Sequence, residues 1–257
     1  MKPRGTTKEE HGLVAILDAL GAANFGAPEV EQFLNARHEV LQLLHEKAED
    51  LLDGPSGPQI AAAKISTFTF NDTIIITFRS GGQPPTLQQI CSFLLVIRKF
   101  VVDSLAHGIL FRGSVGAGRF HINDKTNTVM GEAVSDAAAW YEEAQWIGVH
   151  CTPRCSLFID SLLERTTKKT KTQIMVDYDV PLKGGKSCRL KAVNWPRIFL
   201  LPKINPWGTK EEPRAKLLEL LSTHTIPMGV ENKYQNTVHF FDRCMELLAA
   251  YESRADS

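Results

Sequence analysis

Two short apolar runs constrain this chain more than any other feature: Leu13-Val-Ala-Ile-Leu-Asp18-Ala-Leu-Gly21 and Phe68-Thr-Phe-Asn-Asp72-Thr-Ile-Ile-Ile76. Both are rich in strand-forming residues, and each places one aspartate at or near a turn. If the two strands are neighbours in one sheet, Asp18 and Asp72 face each other. They can then hold two hard cations roughly 3.5 to 4 Å apart, the arrangement used for in-line displacement at phosphorus. Either aspartate alone would be an ordinary cap or turn former.

Composition narrows the class. The chain has 257 residues, 43% of them hydrophobic and 23% charged, as expected of a globular protein with a substantial core. Its 29 basic and 29 acidic residues cancel, so there is no broad basic field of the kind a dedicated nucleic-acid binder carries, and any polyanion site must be local. Apolar stretches such as 90–97 and 247–250 fall far short of the ~20 residues that span a bilayer. Residues 1–10 are polar and charged, unlike a signal peptide. The expectation is a cytoplasmic protein with neither membrane nor nucleic acid as partner. The five cysteines lack CxxC spacing, and most are expected to be free thiols. Cys151-Thr-Pro-Arg-Cys155 has no second pair to complete a zinc site, and the eight histidines are scattered at no ligand spacing.

Periodicity predicts alternating strands and helices. Residues 13–17 form a strand, and Pro28 opens a helix carrying Val30, Phe33, Leu34, Val40, Leu41 and Leu44. Residues 53–58 break that helix, and 66–78 form a long strand with a bend or hairpin turn at Asp72. A second helix runs from an N-cap at Thr86 to Ala106 and ends at Gly108. A strand over 109–115, a helix over 131–145, a hairpin of 174–180 with 187–193, and a helical tail from Pro213 follow. The order β-α-β-β-α-β predicts an α+β sandwich with helices on one sheet face.

The motifs Asp18-Ala-Leu-Gly21, Phe70-Asn-Asp72-Thr, Phe111-Arg-Gly113-Ser-Val-Gly-Ala-Gly118 and Gly131-Glu-Ala-Val-Ser-Asp-Ala137 occur in that order. Together they resemble the class III nucleotidyl cyclase catalytic domain. With Val193-Asn-Trp-Pro196, they look closest to its bacterial antiphage branch, the Pycsar pyrimidine cyclases. The resemblance implies a ferredoxin-like βαββαβ catalytic domain over 11–200, with a C-terminal helical extension over 201–257 packed on the core or on a dimer partner. It implies a homodimer with active sites at the interface, converting a nucleoside triphosphate into a 3′,5′-cyclic monophosphate and pyrophosphate. Asp18 and Asp72, with the Ala19 backbone, match the family's ligands for two divalent cations, Mn2+ or Mg2+. Backbone amides of Ala19, Leu20, Gly21, Ala22 and Ala23 would cradle phosphate oxygens.

Departures from the family pattern carry as much information as the matches. Where adenylate and guanylate cyclases have a ribose-orienting Asn and a transition-state Arg, this chain has Ser135 and Ala139. Arg112 is the candidate substitute or base contact, and Lys183, Lys186, Arg189 and Lys191 are further candidates for triphosphate contact. At the positions that read the purine, the chain has Phe68 and Thr128, neither of which offers the hydrogen-bond set of a purine reader. An aromatic ring there stacks on a base and occupies space a purine would need. This favours a pyrimidine, UTP ahead of CTP, with cyclic UMP as a second messenger for a separate receptor protein in antiphage defence. A purine cyclase with an unusual reader and a catalytically inactive nucleotide-binding scaffold are the competing readings. Phe68 as core and Arg112 as a structural ion-pair partner are the plain alternatives for those residues.

Overall fold

A computed structural model describes residues 8–22, 26–52, 65–165, 174–207, 212–224, 226 and 228–255. Strand β1 (Lys8–Ala19) is followed by helix α1 (Ala27–Leu52), the hairpin β2 (Ile65–Phe70) and β3 (Thr73–Arg79), and helix α2 (Leu87–Ala106). Then come β4 (Phe111–Asn123), β5 (Thr128–Met130), α3 (Glu132–Tyr141), β6 (Gly148–Cys151) and α4 (Pro153–Glu164). The hairpin β7 (Met175–Leu182) and β8 (Lys186–Val193) precedes α5 (Pro213–Ser222) and α6 (Glu231–Ala255). The fold is α+β. One sheet has the strand order β2-β3-β1-β4-β6-β8-β7, with β5 on the end of β4.

Alternation along β1 sorts the core into two faces. Leu13, Ala15, Leu17 and Ala19 face a large cluster built with α1, α2, α4 and the C-terminal helices, while Val14 and Ile16 face a smaller one with Phe68, Phe120, Ile122, Ala133 and Ala137. The expectation of helices on one face is therefore corrected: α3 covers the other. The physical reason lies in the glycine-rich strand. A Cβ on Gly116 would stand 2.5 Å from the Ala133 carbonyl oxygen, so only glycine lets α3 lie this close to β4. Ser114 Oγ then donates to the Ala137 carbonyl at 2.6 Å. Gly131, at φ +135°, turns the chain into α3 where a Cβ would meet Phe120.

Local signals explain most element ends. Thr86 caps α2 with a reciprocal capping box through Gln89. Asn71, at φ 52°, makes the β2–β3 turn in the middle of the predicted long strand. Cys151-Thr-Pro-Arg-Cys155 is the β6–α4 junction, with Thr152 as N-cap and both thiols free and buried. The predicted helix break at 53–58 lies outside the described residues. The C-terminal helices bury Leu217, Leu221, Phe240, Phe241 and Cys244 in the large cluster. No helix among the described residues is long and apolar enough to cross a membrane.

The close approach at Gly116 makes a direct prediction. Gly116→Val should destabilise the fold by about 1–3 kcal/mol or more by forcing α3 off the sheet, read as a lowered midpoint in urea denaturation. Gly184→Val, in open space on the β7–β8 turn but at φ +71°, strains only the turn and should leave the α3 contact intact.

Candidate active site

The register of three strands assembles the site. Asp18, second to last in β1, lies opposite Thr73 of β3 on one side and Arg112 of β4 on the other. Asp72 occupies the turn just before Thr73, and its carbonyl accepts a hydrogen bond from the Ala19 amide at 3.2 Å. Helix α1 steadies that turn, because Arg37 Nη1 donates to the Asn71 carbonyl at 2.5 Å. The two sequence-predicted aspartates thus meet at one end of the sheet.

Arg112 closes on Asp18 with a fork. Its Nε and Nη2 donate to Asp18 Oδ2 at 3.1 and 3.0 Å, and its Nη1 donates to the Glu142 carbonyl at 3.2 Å. Among the described residues, Asp18 Oδ1 has only a long contact, 3.5 Å from Thr73 Oγ1. Burial holds the Asp18 carboxyl above the usual carboxylate range. The Arg112 hydrogen bond and charge oppose that shift without overcoming it, and the charges of Asp72 and Glu142 add to it. A largely buried carboxylate with one underused oxygen and a second carboxylate beside it suits a hard divalent cation, as does the Ala19 backbone next in line. Among the described residues no group of three or more His, Cys, Asp or Glu could hold a metal ion. Magnesium sites completed by substrate phosphates and water use one or two carboxylates.

Several groups that sequence reasoning missed line the same place. Tyr141, at the end of α3, donates to Glu142 Oε1 at 2.8 Å. Burial, the Glu142 bond and the Glu142 and Asp18 charges push its phenol up to about 12. The tip of the β7–β8 hairpin docks alongside, with the Lys183 amide donating to the Glu143 carbonyl at 2.9 Å. Helix α6 arrives last: Asn236 Nδ2 donates to the Gln145 carbonyl at 2.7 Å, and the Ile147 amide donates to Thr237 Oγ1 at 2.8 Å. These bonds bring Lys233, one turn earlier in α6, into the electrostatic range of Asp18 and Arg112. No local motif marks Tyr141 or Lys233, because tertiary docking alone carries them to the aspartates.

Other predicted residues fall elsewhere. Phe68 is 5% exposed and packs with Val14, Ile16 and Phe120 beneath α3, so its ring is covered. The exposed aromatic beside Asp72 is Phe70, at 75%. Thr128 pairs with Asn123 at the far end of β4, roughly 35 Å along the strand from Arg112. Ser135 is exposed on α3, about 9 Å along the helix axis before Tyr141. The predicted phosphate cradle shrinks, since the amides of Ala19 and Leu20 are spent on the carbonyls of Asp72 and Leu110, the latter at 2.8 Å. Sheet pairing extends further than the apolar run implied. Gly21, at φ +88°, and Ala22 are the next described residues of the predicted cradle, while Ala23 lies outside the described residues. Lys191 is held by Asp160 and Asp177 at 2.7 and 2.5 Å, and Arg189 pairs with Asp179, so neither joins the site. Lys186 is exposed at the start of β8.

No protein-family model matches the chain, and no curated protein matches it. Among solved structures, the adenylyl cyclase CyaB from P. aeruginosa is similar at 14% identity and a TM-score of 0.45, covering 73% of this chain and 95% of that one. The catalytic core of a rhodopsin-guanylyl cyclase with converted specificity, in complex with ATPalphaS, is similar at 12% identity and a TM-score of 0.43, covering 73% of this chain and 97% of that one. At such identities a likeness concerns the course of the chain alone.

The Asp18 electrostatics set up an opposition between stability and cation binding. A carboxyl whose folded pKa is raised favours the protonated form in the native state, so its contribution to stability is present at low pH and lost as pH rises through the folded value. Asp18→Asn, with chelator at pH 7.5, should therefore melt at or above the wild-type temperature. Manganese should raise the wild-type melting temperature and leave Asp18→Asn unmoved in differential scanning fluorimetry. A manganese shift equal in both proteins would remove Asp18 as a ligand.

Proposed function

We propose that the chain is a nucleotidyl cyclase, acting on UTP by preference and releasing 3′,5′-cyclic UMP and pyrophosphate. The observation that carries this reading is the meeting of Asp18 and Asp72 at one sheet end, with Arg112 between the carboxylate and the 142–147 segment. Asp18, Asp72 and the Ala19 backbone would hold two divalent cations. Bound there, such ions supply Lewis acidity, making the ribose 3′-hydroxyl more acidic and neutralising the phosphates.

In the proposed reaction the 3′-oxygen forms a bond to the α-phosphorus as the bond to the bridging oxygen of pyrophosphate breaks. The hydroxyl proton passes to solvent. The chain's own part is positional and electrostatic: Gly21 and Ala22 leave room for phosphate oxygens, and Arg112 offers a fixed guanidinium beside the reacting centre. Arg112 stands in for the cation missing at Ala139. Phe68 is buried beneath α3 and out of reach of a base, so the pyrimidine preference rests on Thr128, which lacks a purine hydrogen-bond set. With Phe68 covered, Phe70 is the aromatic surface next to Asp72 on which a base can stack. Thr128 is too remote from Asp18 within one protomer, and in a homodimer it and the exposed Ser135 would act on the partner's nucleotide. The product would be a diffusible messenger in antiphage defence, read by a separate receptor protein.

A cytidylate cyclase is the same machine with another base. One observation favours an inactive nucleotide-binding scaffold instead: the Arg112 fork on Oδ2 already balances the charge of the Asp18 carboxylate and so weakens its pull on a cation at Oδ1. Incubating the purified protein with equimolar ATP, GTP, CTP and UTP plus manganese, followed by mass spectrometry, separates these readings. Cyclic UMP should dominate, and Asp72→Ala should lower its formation about 1,000-fold, the equivalent of roughly 4 kcal/mol in the barrier. Cyclic CMP would correct the base, a purine product would overturn the pyrimidine preference, and no product despite nucleotide binding would establish the scaffold.

A further inference from the structure

We infer that Lys233, carried in by the C-terminal helix α6, is the cation that receives the polyphosphate of the substrate, an assignment that rests on the nucleotide reading above. Among the described residues four cations lie around the aspartates and three are already engaged, Arg37 with the Asn71 carbonyl at 2.5 Å. Arg112 spends Nε and Nη2 on Asp18 and Nη1 on the Glu142 carbonyl, and Lys183 pairs with Glu143 at 3.4 Å. Lys233 has no ion pair among the described residues, although the charges of Asp18, Arg112 and Lys183 all reach it.

Its position is unfavourable without a ligand. Lys233 lies in the first turn of a 25-residue helix, where the backbone dipole disfavours a positive charge. It is half-buried. Burial first, then the neighbouring charges of Arg112 and Lys183, lower its ammonium from the ordinary lysine range, with Asp18 acting the other way. The helix is nevertheless pinned by Asn236 to the Gln145 carbonyl and by Thr237 to the Ile147 amide. Thr237 Oγ1 also donates to the Lys233 carbonyl at 2.6 Å, closing the same turn. The fold therefore fixes an ammonium with no ion pair among the described residues within electrostatic reach of Arg112 and Asp18. An incoming polyanion relieves the repulsion among these cations, and cations bound by Asp18 and Asp72 would leave Arg112 and Lys233 to the phosphates.

The helix packs here through Phe240, Phe241 and Cys244, and that packing delivers Lys233 to the site. Truncating α6 would remove a substrate contact as well as core packing, so point variants are the cleaner probe.

The test uses full-length protein and magnesium tripolyphosphate as the probe, measured by calorimetry, with thermal melting as a fold control. Lys233→Met keeps the aliphatic stem and removes the charge. It should weaken tripolyphosphate binding about tenfold or more, Lys233→Arg should restore most of it, and Lys125→Gln, an exposed charge control at the far end of β4, should change nothing. Lys233→Met binding as tightly as wild type would overturn the assignment, as would a wild-type protein that binds no tripolyphosphate. Pyrophosphate release from UTP is measured in parallel. Wild-type protein that binds tripolyphosphate through Lys233 but releases no pyrophosphate would overturn the cyclase reading and uphold Lys233. Turnover that persists in Lys233→Met with unchanged KM would overturn Lys233 and uphold the cyclase reading.

Discussion

Everything at the candidate site depends on β1 being paired on both edges. It is antiparallel to β3 and to β4, and that double pairing sets Asp18 between Thr73 and Arg112. A one-residue slip of β1 would turn every side chain to the opposite face, exchanging Leu13, Ala15 and Leu17 for Val14 and Ile16. The two apolar clusters therefore hold the register, and the register holds the carboxylate. Because the pairing runs to the last residue of β1, it also consumes the Ala19 and Leu20 amides and moves any backbone phosphate contact to Gly21 and beyond.

The Asp18–Arg112 pair shows how a chain with no net charge concentrates a local field. Both side chains are mostly withdrawn from solvent, at 15% and 14% exposure, so desolvation of the carboxylate outweighs the attraction of its partner. Such a pair adds little to stability. It keeps a carboxylate oriented and underused on one oxygen, a state that a divalent cation would relieve. Around it the segment 142–147 acts as a hub, receiving Arg112, the hairpin tip and α6 through backbone carbonyls and amides. Backbone groups are available whatever the side chain, which is why this junction leaves no trace in the residue pattern.

The parts of the molecule that were legible share a property: their cause is local. The capping box at Thr86, the turn at Asn71-Asp72 and the strand character of 13–17 follow from residues within a few positions of one another. Less was readable where short elements gain their stability from neighbours. Strand β6 has only four residues, buried throughout and paired with β4 and β8, and the capping role of Cys151-Thr-Pro-Arg-Cys155 is visible only once β6 precedes α4. Phe68 could have been base reader or core, and the close seat of α3 on Gly116 decided for core. Of the cations on the late hairpin, pattern could not separate Lys183 from Lys191. Lys191 turned out to be held by two aspartates from different elements.

The amino-acid sequence by itself determined the α+β class, the two strands with their aspartates, the turn that exposes Asp72 and the glycines that allow close packing, since each follows from local preference and steric limits. Only the tertiary structure decided that α3 lies on the second face, that Phe70 and not Phe68 is open beside Asp72, and that Tyr141 and Lys233 stand near Asp18. Those outcomes depend on contacts between different elements, such as Gly116 with Ala133, Asn236 with Gln145 and Arg112 with Asp18. Long-range contacts of this kind are set by which apolar faces are buried together, a balance summed over the whole core that no local run of residues encodes.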